Sequence, residues 1–303
     1  MKNYFEEVNT SFPQRRKICD KENFRAYVSK IAEEYGYESH TEVLEDKHHN
    51  LIVGSCEEAE VILTAHYDTP AASLFPNIMM PRNPILAIVY GIAVPTLYAL
   101  VALGLAYGAK ALFSLSYAWM IGIYLAVYYL IFYLAMMCFE NKHNYNDNTS
   151  GVATLLTAMS IPSNRKIAFV FFDNEEKGLK GSKAFAKAHP EWGKKLLLNL
   201  DCVGNGQNLL FIAKPEAEQH PIYRLITECL TDTDAHKFHF FPIKGSGMNS
   251  DNKSFSTSVG ICACKRAKFP SFYTPRIHTA KDTEVDPENI SVLANSLMEA
   301  INA

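Results

Sequence analysis

Ile167-Ala168-Phe169-Val170-Phe171-Phe172-Asp173-Asn174-Glu175-Glu176 begins with an unbroken apolar row and ends in polar residues, the last two being adjacent carboxylates. A strand that is apolar without alternation is buried on both faces, as in parallel sheets covered by helices on each side. The same pattern recurs upstream, where apolar residues 61–65 run into His66-Tyr67-Asp68. It recurs downstream, where residues 196–200 run into Asp201. Helical stretches at 150–160 and 180–187 separate these runs. Further out, residues 20–36 place Phe24, Tyr27, Val28, Ile31, Ala32 and Tyr35 on one helical face, with Gly36 as a C-cap. Residues 38–54 read as a hairpin, 209–213 and 259–264 as further strands, and 221–230 and 290–301 as helices. Strands alternating with helices predict an α/β fold, a three-layer sandwich with a mixed, mostly parallel central sheet.

One stretch departs from the pattern of a soluble chain. Residues 83–109 contain no Asp, Glu, Lys or Arg, and after Lys110 neither do residues 111–139. Each run exceeds the roughly 20 residues that a helix needs to cross the hydrocarbon core. Tyrosines and Trp119 recur at interface depths, Pro95 is tolerable in lipid, and Gly91, Gly104, Gly108 and Gly122 are expected to permit close helix contact. Residues 71–139 therefore read as an inserted hydrophobic hairpin of two transmembrane helices, with the lipid bilayer as partner through 83–139 and a surface for oligomerisation. The catalytic domain is then discontinuous, residues 1–70 and 140–303.

With 303 residues the chain can bury a large core. A net charge of -3 argues against a nucleic-acid partner bound through phosphate neutralisation. Seven scattered cysteines, of which only Cys262 and Cys264 are close, read as reduced thiols. The first 25 residues have no apolar signal-peptide core. Both features place the catalytic domain of an integral membrane protein on the cytoplasmic side, although Arg82, Lys110 and Lys142 give only a slight charge bias.

In open α/β sheets, ligands gather at the carboxyl ends of the strands. His66, Asp68, Glu175, Glu176 and Asp201 all stand there, and Asp147 lies in the polar turn Asn146-Asp147-Asn148-Thr149-Ser150-Gly151 that opens a helix. Two divalent cations need a bridging carboxylate and further oxygen or imidazole ligands. Asp147 suits the bridge, His66 and Asp201 can complete one ion, and Glu176 and His278 the other. Asp68 can accept the second N–H of the His66 imidazole. Glu175 is then free to act as a general base on the attacking water.

His66-Tyr67-Asp68, the 146–151 turn, Asp173-Asn174-Glu175-Glu176-Lys177-Gly178, Asn199-Leu200-Asp201 and His278-Thr279-Ala280-Lys281-Asp282-Thr283 resemble the ordered motifs of the M28 family of co-catalytic zinc metallopeptidases. The resemblance spans about residues 20–303 apart from the apolar insertion. It implies a zinc exopeptidase-like fold, two Zn2+ ions per chain and a peptide substrate. It also implies the same residue roles: His66 and Asp201 on one zinc, Glu176 and His278 on the other, Asp147 between them, Glu175 as base. The chain departs from the family in two places. From His66 to Asp147 is 81 residues (147 − 66), because the apolar pair fills the gap, and Ser250-Asp251-Asn252 stands where many relatives carry Ser-Asp-His.

The favoured function is a membrane-anchored di-zinc metallopeptidase cutting near a chain terminus, an aminopeptidase before a carboxypeptidase. The alternatives are a glutaminyl-cyclase-like single-zinc acyl transferase and a non-catalytic receptor on a peptidase fold. His48 and His49 read as solvated turn residues, Lys265, Arg266 and Lys268 as a solvated face, and Cys202 as core. Tyr273 reads equally as pocket lining or packing.

Overall fold

The computed structural model describes residues 2–73, 77–136 and 139–303. Residues 74–76 and 137–138, part of the stretch read as an insertion and including Cys138, lie outside the described residues, as does Met1. The chain opens with α1 (Tyr4–Ser11), α2 (Ile18–Glu34), β1 (Ser39–Leu44), β2 (His48–Val53), β3 (Val61–His66) and β4 (Asn77–Met79). Two apolar helices follow, α3 (Pro84–Phe113) and α4 (Tyr117–Met136), then α5 (Gly151–Met159), β5 (Ile167–Phe172), α6 (Lys180–Ala188) and β6 (Leu196–Leu200). The last part holds β7 (Asn208–Ala213), α7 (Pro215–Glu218), α8 (Pro221–Cys229), β8 (Lys237–Pro242), β9 (Ser258–Arg266), β10 (Phe272–Ile277) and α9 (Pro287–Asn302).

The described strands form one mixed sheet whose centre, β5-β3-β6-β9, is parallel throughout. Its register sets Val61 beside both Ile167 and Leu196, so the three apolar runs end at nearly the same level. The hairpin β1-β2 is antiparallel and closes one side through β2 and β5, while β7 pairs antiparallel with β9 and parallel with β8 on the other. At its far end β9 also pairs with β10, which pairs with β4, so residues 77–79 belong to the sheet although they fall in the stretch read as an insertion.

Alternate strand residues face opposite helix layers, because successive side chains of a strand point to opposite sides. Leu51, Leu63, Phe169, Phe171 and Leu198 pack with helices α1, α2, α5, α8 and α9. Ile52, Ile62, Val170, Phe172 and Leu197 pack with Phe185 of α6 and with Phe255. The result is the three-layer α/β sandwich that the unalternating runs predict.

Helices α3 and α4 pack on each other and leave most of their apolar surface uncovered. Ile85, Leu112, Phe113 and Trp119 are each at least two-thirds exposed. Asn83 caps α3 by accepting from the Leu86 N–H, Pro84 sits in the first turn where no N–H is needed, and Ser114 ends the helix in a left-handed conformation. Lys110 lies 4.3 Å from the centre of the Tyr117 ring and closes the connection. Both helices are long and apolar enough to cross a membrane. At 1.5 Å per residue the 30 residues of α3 extend about 45 Å. The glycines do not make the contact between them: a Cβ added at Gly91, Gly104, Gly108 or Gly122 would meet open space. The buried positions of α3 are Tyr98, Ala102 and Ala106, one every four residues, so alanine provides the close approach.

Candidate active site

Three strand ends and two loops converge on one cavity of about 380 Å³. His66, the last residue of β3, is almost fully buried, and its Nε2 points at Asp147 Oδ1 (3.3 Å) and Asp201 Oδ1 (3.7 Å). Its Nδ1 donates to the main-chain carbonyl of Asp68 at 3.1 Å, which leaves the Nε2 lone pair facing those carboxylates. The Asp68 carboxylate lies further from Nδ1, at 3.7 Å. Its hydrogen bonds go elsewhere: it accepts the main-chain N–H of Glu175 (3.0 Å) and of Glu176 (3.3 Å). The role expected for Asp68, holding the imidazole, therefore falls mainly to its own carbonyl. Its side chain fixes the turn that presents Glu175 and Glu176.

Asp147 stands in a turn tied down on both sides. Asp282 accepts the N–H groups of Asn146 and Asp147 at 3.0–3.2 Å. Asn148 donates to the Leu200 carbonyl (2.9 Å) and accepts from the N–H groups of Gly151 and Cys202. Asn146 and Ser150 accept from Gly204 and Val203. The 146–151 turn is thus fastened to the end of β6, which sets Asp147 against Asp201. Gly151 is required there for space. A Cβ would come within 2.4 Å of Asn148 Oδ1 and 2.5 Å of the Leu200 carbonyl. Gly151→Ala is expected to cost about 3 kcal/mol by overpacking, read as a lowered midpoint in thermal unfolding.

Across the cavity His278 Nε2 lies 2.9 Å from Asp147 Oδ2 and 3.3 Å from Glu176 Oε2. Ligand-type atoms of His66, Asp147 and Asp201 fall within 4.8 Å of one another, as do those of Asp147, Glu176 and His278, and Asp147 is common to both groups. A further group, His66 with Glu175 and Glu176, meets the same limit. All five residues expected as ligands, and Glu175, are therefore brought together. Glu176 Oε1 is buried with no hydrogen-bond partner among the described residues. An orphaned buried carboxylate oxygen amid imidazoles and carboxylates fits a bound divalent cation, and this nitrogen and oxygen donor set suits zinc.

The crowding displaces the proton affinities. Burial, with Glu176, Asp251 and Asp201, pushes Glu175 well above the usual carboxylate range. Burial, with Asp147, pushes Glu176 up to about 8. For Asp147, burial is outweighed by His278 and His66, which hold it below its ordinary value. Burial depresses His66, yet Glu175, Asp147, Asp201 and Asp68 keep it well above the normal imidazole value. Burial raises Asp282 to about 7. For a carboxylate raised on folding, the stabilisation is complete below the unfolded value and is lost as pH rises through the folded one. Glu176 rises from 4.5 to about 8, so the metal-free chain is expected to lose stability between about pH 4.5 and pH 8. Metal binding displaces that proton, so zinc affinity is expected to rise over the same window. Thermal melts of metal-stripped protein at pH 5 and pH 8, with and without zinc, check both. A metal-free chain more stable at pH 8 would contradict the assignment.

Several residues behind the site carry no motif of their own. Arg15 is fully buried and donates to the Tyr67 carbonyl (2.5 Å), the Phe12 carbonyl and Thr149 Oγ1. Burial lowers it to about 10 against the pull of Asp68 and Asp147. Lys21 and Asp173 form a buried ion pair at 2.5 Å. His48 is no solvated turn residue: it begins β2, is buried, and accepts from Asn174 Nδ2 on Nδ1 at 3.1 Å. Lys265 pairs with Glu284 at 2.8 Å. Cys202 is buried as expected but also borders the cavity. The 247–252 loop reaches the cavity through Gly247 and Asn249, while Asp251 and Asn252 are fully buried. The opposite wall comes from α3, where Ala87, Tyr90 and Gly91 line the opening.

The profile of Peptidase family M28 matches residues 140–300. No curated protein matches the chain. Among solved structures, a Zn-dependent exopeptidase from Parabacteroides distasonis is similar with TM-score 0.60 and 15% identity, over 99% of this chain and 97% of that one. The LapA aminopeptidase of Legionella pneumophila gives 0.56 and 13%, over 99% and 68%. A glutaminyl cyclase from Porphyromonas gingivalis gives 0.61 and 13%, over 99% and 96%. The fold, the cluster of metal-ligand side chains and the profile match define a zinc-dependent hydrolase with a fold like that of zinc exopeptidases. The chain belongs to peptidase family M28, whose substrates are peptides.

Proposed function

We propose that this chain is a membrane-anchored exopeptidase with two zinc ions, cutting at the amino terminus of its substrates. The observation that carries the reading is Asp147, one oxygen toward His66 and the other toward His278. His66 and Asp201 would hold one ion, Glu176 and His278 the other, and Asp147 would bridge them. Zinc there would supply Lewis-acid activation of water and of the scissile carbonyl. Glu175 borders the cavity on a turn that Asp68 fixes, and it takes the proton of the attacking water and returns it to the departing amine. Its raised proton affinity suits that exchange near neutral pH. Elemental analysis after metal-free purification and zinc reconstitution, with cleavage of a peptide library, tests the reading. No zinc and no hydrolysis would overturn it. One tightly held zinc per chain with cyclisation of amino-terminal glutamine would assign the acyl-transferase alternative.

The bilayer is the proposed environment of α3 and α4, as an insertion of residues 71–139 in a domain formed by 1–70 and 140–303. The mostly uncovered apolar faces support it, and oligomerisation through them is compatible with it. The catalytic domain is assigned to the cytoplasm on its free thiols; among the described residues none of the six cysteines forms a disulfide. Full-length protein is expected to stay with membranes through carbonate extraction and to need detergent. Monodisperse protein in plain buffer would leave the pair as a lid. Since α3 forms one cavity wall, the anchor and substrate entry are joined. Ala87→Trp, which narrows that wall, is expected to raise KM about tenfold with unchanged zinc content, measured by steady-state kinetics.

A further inference from the structure

Behind the loop that carries Glu175 and Glu176 lies a second cavity of about 360 Å³ that shares no lining residue with the first. Its charge is lopsided. Arg16, Lys21, Arg25, Lys47, Lys177 and Lys180 line it, against the carboxylates of Asp46 and Asp173. Asp173 is already engaged, paired with Lys21 at 2.5 Å and accepting the main-chain N–H of His49 at 3.1 Å. Arg25, Lys47, Lys177 and Lys180 have no carboxylate within 4.0 Å among the described residues. Arg25 is buried, its guanidinium lying 5.9 Å from the centre of the Tyr67 ring and donating to the neutral hydroxyl of that residue at 2.7 Å. Of these four only Arg25 is buried, and a buried charge without a counter-charge is costly. Lys47, Lys177 and Lys180 are exposed at the rim, where like charges around one concave opening attract an anion from outside the chain.

We propose that this cavity binds a phosphate group. A multivalent anion matches the several uncompensated cations better than a single carboxylate does. Arg25 lines the cavity as a buried guanidinium with donors beyond the one given to Tyr67, while Lys21 is held by Asp173 and Asn174. His48, between β2 and Asn174, adds a ring to the same wall. The volume leaves room for a small organic group beyond the phosphate, so the source is either a soluble phosphate monoester or a phospholipid headgroup. Asn174 and Lys177 bracket Glu175 and Glu176, so a ligand here would rest against the back of the catalytic turn.

The test is calorimetric titration of full-length protein in neutral detergent with inorganic phosphate, glycerol 3-phosphate and a short-chain phosphatidic acid below its micellar concentration. Wild type is expected to bind one phosphate group per chain at this cavity. The double variant Lys47→Glu/Lys180→Glu alters two exposed side chains outside the catalytic machinery and is expected to weaken binding at least about tenfold. Glu176→Ala, which disturbs the candidate metal centre, is expected to leave binding unchanged. Tighter binding of phosphatidic acid than of glycerol 3-phosphate would name a lipid headgroup as the source, and equal binding a soluble ester. The proposal is overturned by absence of phosphate binding, by binding indifferent to the charge reversal, or by binding lost in Glu176→Ala, which would place the phosphate at the metal centre. None of these outcomes depends on peptidase activity.

Discussion

Glu175→Gln is expected to lower turnover by about 10²–10⁴-fold while leaving the fold and the zinc content as they are. The substitution keeps the shape of the side chain. It keeps the main-chain N–H that Asp68 accepts, so the turn stays where it is. What it removes is the ability to take and return a proton. Both glutamates border the cavity with raised proton affinities, but Glu176 lies 3.3 Å from His278 and groups with it and Asp147, whereas Glu175 is not in that group. The loss should therefore appear in kcat, with zinc measured by elemental analysis unchanged. Activity close to wild type would move the base to another residue and reopen the non-catalytic reading. A parallel loss of zinc would make Glu175 a ligand, as its grouping with His66 and Glu176 allows.

The fold was legible where burial is two-sided. Residues 167–172 and 196–200 can only be central strands, and both have those limits in the structure. Each run ends at the same edge because parallel register aligns the ends, which is why His66, Glu175 and Asp201 meet. The strands that escaped notice have one-sided or mixed patterns. Strand β8, Lys237-Phe238-His239-Phe240-Phe241-Pro242, lies at the edge of the sheet with half-buried residues between two exposed ends, and β10 contains Pro275. The three residues of β4 are too short for any period to register.

The site was legible as a set of ligand types but not as a set of supports. Arg15, Lys21 and Asp282 do their work through main-chain atoms and buried ion pairs between segments far apart in sequence, and no spacing announces such partners. Asp68 shows the same limit: His-x-Asp suggested a carboxylate on the imidazole, but the local turn offers the carbonyl instead and frees the carboxylate for two amides. His48 beside His49 looked like a polar turn. The turn is one residue earlier, and strand geometry takes His48 inward.

Asp147→Ala should have the widest consequence of any single change. Asp147 Oδ1 faces His66 and Oδ2 faces His278, so both ligand groups lose a member at once. Two cations that share a cavity need negative charge between them, and no other described carboxylate belongs to both of those groups. At least one of two zincs is expected to be lost. Turnover is then expected to fall at least about 10³-fold, since several kcal/mol of transition-state stabilisation leave with an ion. Asp147→Asn separates ligand loss from misfolding. It keeps the size of the side chain and leaves untouched the main-chain N–H that Asp282 accepts, so the turn should hold. Its neutral amide still offers one oxygen, but it cannot screen two cations. The expected order of zinc content is therefore wild type, then Asn, then Ala, with circular dichroism unchanged in the Asn variant. Two zincs retained at wild-type affinity in Asp147→Ala would remove Asp147 from the bridge. The nearest remaining arrangement would then be His66 with Glu175 and Glu176, which would make Glu175 a ligand and leave the base to be found elsewhere.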